Sequence, residues 1–131
     1  MLCGLTLLGS LCTTAGAHSV VSPMAFHGGK VAAAGAFHLE LRVTDGRLEL
    51  YVYDKHNAPL WADSVTASAR LKVADEHHQL KLAPRRRNLL IAEVPFETAN
   101  IGDVEITLAD ESGRAWTAVF AKVGQDPAAS R

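Results

Sequence analysis

The chain has 131 residues and a mass of 14.0 kDa, room for one domain and not two. It is 48% hydrophobic and 21% charged with a formal net charge of −1, the balance of an ordinary globular chain. Such a balance argues against a nucleic-acid partner, because phosphate contacts need a basic excess. The size excludes multidomain machines and most large-fold cofactor enzymes.

The first element is an expected export signal over residues 1–17. Met1 to Ala17 carry no charged side chain, and Leu2, Leu5, Leu7, Leu8 and Leu11 give them an apolar centre. They end in Ala15-Gly16-Ala17, which has small residues at both positions a signal peptidase reads. The run is too short for a spanning helix, so the mature chain is expected to lack a transmembrane segment. No Lys or Arg precedes the apolar run. Either translation starts further upstream, or the amino terminus supplies the positive charge. Lipidation at Cys12 is the rival reading. Leu11 stands where a small residue is expected before that cysteine, so cleavage after Ala17 ranks ahead. Cleavage removes Cys3 and Cys12 and places the protein in the periplasm or outside the cell. The remaining chain has no thiol, so any metal must be held by nitrogen, oxygen or thioether donors, which suits copper, nickel, cobalt or zinc.

A mature N-terminal segment, 18–26, leads into an expected β domain over 27–123. Leu39, Leu41 and Val43 alternate with His38, Glu40, Arg42 and Thr44; Leu48, Leu50 and Val52 alternate with Glu49, Tyr51 and Tyr53. Asp45-Gly46 between them is a two-residue hairpin signal, because a type I′ turn needs positive φ at both central positions. A two-residue loop sets Val43 against Leu48, Leu41 against Leu50, Arg42 against Glu49 and His38 against Tyr53. A second pair runs from Val65 to Val73, turns near Asp75-Glu76, and returns through Leu80 and Leu82. Pro84-Arg85-Arg86-Arg87-Asn88 reads as a solvated loop before the apolar run Leu89 to Val94. A third pair joins Val104, Ile106 and Leu108 to Trp116, Ala118 and Phe120 through Asp110-Glu111-Ser112-Gly113. Trp61, after Pro59, is expected to plug one end of the fold. Residues 124–131 read as a flexible tail. About seven short strands without an intervening helix predict an all-β fold, an antiparallel sandwich or small barrel.

Site-like chemistry is confined to the histidines. No nucleophile elbow, phosphate-binding loop, dinucleotide fingerprint or zinc-protease motif is present, and no catalytic carboxylate pair stands out, so the chain reads as a non-enzyme. His27 opens His27-Gly28-Gly29, and His38 begins the first hairpin strand. Gly28, Gly29 and Gly35 between them allow tight turns that could bring both imidazoles beside one strand, and neutral imidazole is a good donor to transition metals. Met24 and His56 are candidate additions to such a shell. His18 would become the first residue after cleavage, where its imidazole and free amine could chelate one ion. Each of these also has a plain structural reading, as surface histidines on a strand edge, in loops or at a frayed end. His77 and His78 diverge on adjacent strand positions and read as turn residues.

The stretch His27-Gly28-Gly29-Lys30-Val31 followed by Gly35-Ala36-Phe37-His38-Leu39-Glu40-Leu41 resembles small periplasmic β domains. These are found alone or at the front of periplasmic adaptor (membrane fusion) subunits of heavy-metal efflux systems. The likeness continues through Asp45-Gly46, Leu50-Tyr51-Val52-Tyr53-Asp54 and Asn88-Leu89-Leu90. The resemblance implies metal handling in the cell envelope, with His27 and His38 as the metal-facing positions. A chain starting at His18 is also similar, at that end alone, to small copper-resistance sandwiches that begin with a ligand histidine. The resulting expectation is a transition-metal-binding protein that buffers metal or delivers it to a heavy-metal efflux or envelope partner. The alternative is a metal-free interaction or scaffold module docking on such a partner.

Overall fold

The computed structural model of the protein describes residues 21–44 and 46–125. The expected signal segment 1–17, His18 and most of the expected tail lie outside the described residues. Eight strands are present among those described: β1 (Lys30–Ala34), β2 (Phe37–Thr44), β3 (Arg47–Asp54), β4 (Thr66–Val73), β5 (Glu76–Arg86), β6 (Leu89–Glu93), β7 (Ile101–Ala109) and β8 (Ala115–Phe120). They form one antiparallel sheet in the order β1-β2-β3-β6-β5-β4-β7-β8. The sheet curls until its two edges approach, and the Lys30 Nζ at one edge donates to the Ala121 carbonyl at the other (3.0 Å). The fold is all-β, a nearly closed barrel.

Alternation explains the core. Leu39, Leu41, Leu48, Leu50, Leu71 and Ile106 all point inward and are almost fully buried. Each contributes roughly 1.5–3 kcal/mol by leaving water. The β2–β3 register is the expected one throughout, with Val43 opposite Leu48, Arg42 opposite Glu49 and His38 opposite Tyr53. Gly46 in that turn has φ +70°. The third pair also forms as expected, with Leu108 facing Trp116 and Val104 facing Phe120.

Three expectations are corrected. The strand count is eight, because Lys30–Ala34 pairs with β2 as an edge strand. Short alanine-rich runs carry little alternation to signal this. Pro84, Arg85 and Arg86 are not loop: they continue β5, which leaves β4 after Leu82 and pairs with β6 through Ala83, Pro84 and Arg86 across an irregular step. Proline is tolerated at such a bulge, where a ladder hydrogen bond is already missing. The turn that follows is only Arg87-Asn88, with Arg87 at φ +48°. Trp61 does not plug the barrel, because it stands 69% exposed beside the 3-10 turn Ala62–Ser64. Trp116, by contrast, is partly buried against the core, edge-on to Phe37 (centroids 5.0 Å). Among the described residues no helix is long and apolar enough to cross a membrane.

Candidate functional site

The outer face of β2 and β3 is the chemically unusual surface. His38, Glu40 and Glu49 point away from the core, yet all three are buried. The cover over His38 and Glu40 comes from the segment preceding β1, which folds back across the two strands and ends in His27-Gly28-Gly29, while Glu49 accepts from the Thr44 and Tyr51 hydroxyls.

Glu40 holds this cover down. Its carboxylate accepts the backbone N–H of Phe26 (3.0 Å), His27 (2.8 Å) and Gly29 (2.9 Å). Three amides from four consecutive residues converge on one anion because Gly28 takes φ +73°, a conformation that aims neighbouring N–H groups into one concavity. Gly29 is required for a different reason. A Cβ there would lie 2.6 Å from the Leu41 carbonyl oxygen and 2.9 Å from Glu40 Cγ, so only glycine lets the backbone approach the strand. Burial pushes the Glu40 carboxyl up. The bonds from the Gly29 amide, the His27 ring, and the His27 and Phe26 amides outweigh it and hold the pKa below its ordinary value of 4.5. Glu40 is therefore an anion at neutral pH.

An ionised acceptor sets the protonation of its neighbour. His27 Nδ1 lies 3.0 Å from Glu40 Oε1, so Nδ1 carries the proton and donates. In the neutral ring Nε2 then bears the lone pair. The ring is stacked on Tyr51 (centroids 3.6 Å, planes 7° apart), which fixes its plane. Its side chain is 35% exposed and borders a cavity of about 470 Å³ shared with Tyr51, Arg86, Arg87, Asn88 and Leu89. The Tyr53 hydroxyl makes a longer contact with Glu40 (3.4 Å), and Phe26 packs on the Tyr53 ring (5.2 Å). Burial first, and the nearby Glu40 charge, drive the Tyr53 pKa up to about 12.

His38 lies on the same outer face but has its own partner. Its Nδ1 is 2.7 Å from Asn57 Oδ1, and Asn57 Nδ2 donates to the Ser22 carbonyl of the covering segment (2.8 Å). The two imidazoles are thus brought to one surface, His38 beside Tyr53 and His27 over Tyr51, a two-residue strand step of roughly 6.6 Å apart in register. His56 is exposed in the turn after β3, where its amide donates to Asp54 Oδ1 (2.8 Å). Met24 is 54% exposed in the covering segment. His77 and His78 are not turn residues but belong to β5, opposite Lys72 and Leu71; they diverge as adjacent strand positions do, His77 exposed and His78 leaning on Phe96 (4.5 Å).

A closed metal cage is not what these residues make: among the described residues no group of three or more His, Cys, Asp or Glu side chains is gathered as a ligand set. The donor chemistry fits an open site instead. A carboxylate bonded to Nδ1 is the arrangement that orients a metal-ligating imidazole and raises its basicity at Nε2.

Glu40, Tyr51 and Tyr53 were not among the site residues expected from the sequence, where they appear only as the polar positions of the hairpin's alternation. The signal was available: two tyrosines on the polar side of a hairpin, at the same parity as His38 and Glu40, are costly to leave in water. Compared with protein-family models, with curated proteins and with solved structures, the chain matches none.

Proposed function

We propose that the protein is a metal-binding protein of the cell envelope that presents His27 Nε2 to a transition-metal ion and buffers it or passes it to an efflux or envelope partner. One observation carries this reading: the 3.0 Å contact between His27 Nδ1 and the buried Glu40 carboxylate, on a ring clamped by Tyr51. The contact helps to satisfy the buried Glu40 carboxylate, and together with the Tyr51 stack it also fixes the ring's plane and tautomer. A ligand that must keep its lone pair aimed at one point requires such fixing. The resemblance of the His-Gly-Gly and His-Leu-Glu-Leu stretches to efflux-associated β domains points the same way. His38 is the second candidate donor on that face, and Met24, His56 and His18 are the donors nearest in sequence. The guanidiniums beside His27 raise the cost of a bare dication, so water and anions complete the shell more readily than further protein ligands.

The test is calorimetric titration with Cu(II) and with Zn(II) of the chain starting at His18. About one ion should bind per chain, and His27→Ala should abolish that binding while leaving the circular dichroism spectrum intact. The His38→Ala variant should weaken it. Equal, weak binding in the unaltered chain and His27→Ala would remove the metal site and leave the docking-module reading.

A further inference from the structure

The arginine run and the exposed tryptophan, neither used by the barrel core nor by the His27 clamp, come together at one place. The Arg87-Asn88 turn is wedged between β3 and the segment before β4. Asn88 accepts from the Val52 amide (3.0 Å), and Arg87 accepts from the Ala62 amide (2.6 Å). Asn88 Nδ2 donates back to the Val52 carbonyl (3.3 Å). These bonds hold Arg87 in the left-handed region, φ +48°, where a residue with a Cβ is seldom found without such support.

Two adjoining cavities share the locked turn, since Arg87 and Asn88 line both. One is the 470 Å³ cavity walled by Arg86, Arg87, Tyr51 and His27; the other is a cavity of about 330 Å³ walled by Pro59, Leu60 and Trp61. The first is polar and cationic, and the second is apolar with an indole at its rim. Neither guanidinium has a carboxylate partner among the described residues. Arg86, Arg87 and Trp61 (69%) are all exposed to solvent around this one turn. Guanidinium forks match carboxylate and phosphate oxygens, and indole faces take apolar chains or rings. Both volumes lie within the range of small-molecule pockets, roughly 300–1,000 Å³.

We infer that this two-part groove binds an amphiphilic oxyanion, a small molecule with a carboxylate or phosphate head and an apolar tail. The head pairs with Arg86 and Arg87, and the tail lies along Leu60 and Trp61. The site does not depend on a metal at His27, so the two readings can fail separately.

The experiment uses metal-free protein stripped on a chelating resin. Octanoate and octyl phosphate are titrated against it, with acetate, inorganic phosphate and octanol as half-ligands, and Trp fluorescence and heat are followed. At least one amphiphile should bind saturably and shift the Trp61 emission to the blue. Its two half-ligands should each bind at least about tenfold more weakly, the equivalent of about 1.4 kcal/mol. Arg86→Gln with Arg87→Asn removes both charges while supplying a residue that accepts positive φ, and should lose at least about tenfold in affinity. Arg85→Gln, on a residue that lines neither cavity, should leave affinity unchanged, and Trp61→Ala should reduce the amphiphile to the affinity of its head group alone. Octanol binding as tightly as the amphiphiles, or full affinity in the double variant, would overturn the inference. So would binding to phosphatidylglycerol vesicles with none to either soluble amphiphile, which would make the groove a membrane contact.

Discussion

Strands β2 and β4 have the same length and the same alternation of apolar and polar residues, but their outer faces meet different fates. On β4 the outward Thr66, Arg70 and Lys72 are exposed. On β2 the outward His38 and Glu40 are buried, Glu40 completely, under the segment that carries Phe26, His27 and Gly29. Alternation identifies the side that faces the core. It is silent on whether the other side is wet. A buried carboxylate survives on β2 only because amide donors replace the water it loses. That replacement orders a stretch of chain with no secondary structure of its own and aims an imidazole.

Breaking the two faces in parallel should give unequal costs. Glu40→Gln removes the charge and leaves donors mismatched in a dry site, and should destabilise the protein by about 2–4 kcal/mol. Arg70→Gln, on the exposed face, should stay within about 0.5 kcal/mol. Urea unfolding of both variants measures the difference, and equal costs would mean that the cover contributes nothing.

A smaller effect, about 1–3 kcal/mol, is expected from Gly29→Ala, whose methyl group would collide with the Leu41 carbonyl. The loss should be local. Amide exchange at Phe26, His27 and Gly29 should accelerate, while exchange in β4 and β7 stays unchanged. Acceleration spread over the whole barrel would instead make the covering segment part of the global folding unit.

The smallest effect concerns pH. Because Glu40 is held below 4.5, its contribution to stability is fully present above that value and is lost as pH falls through the depressed one. Tyr53 acts in the opposite range. Its pKa is raised to about 12, so its contribution is complete below the ordinary value of 10 and is lost as pH rises from 10 toward 12. Thermal melts across both ranges should show both losses in the unaltered protein. In Glu40→Gln the acid loss should shrink, and the alkaline loss should also shrink and be complete at lower pH, because without the neighbouring charge the Tyr53 pKa falls back toward 10.

Much of the barrel was legible in the sequence because one hairpin overdetermines itself. Asp45-Gly46, the apolar pairs and the Arg42–Glu49 pair all demand the same register, which the structure has. The site was legible only in its histidines. His27 was singled out through its glycines, but those glycines matter for reasons that spacing does not encode: one supplies positive φ and the other the absence of a Cβ. The long-range partner, Glu40, sits 13 residues away from His27 and looked like any solvated strand glutamate. Arg86 and Arg87 were hidden in the same way. A basic run reads as a loop until pairing with β6 shows which of its members line a cavity with His27.

The most direct measurement is the tautomer of His27, read from long-range proton–nitrogen NMR correlations of its imidazole. The expected result is a ring protonated at Nδ1 with a bare Nε2 nitrogen, changing to a mixture of tautomers in Glu40→Gln. A ring protonated mainly at Nε2, with the same spectrum in both proteins, would contradict the claim that a buried carboxylate aims this histidine outward.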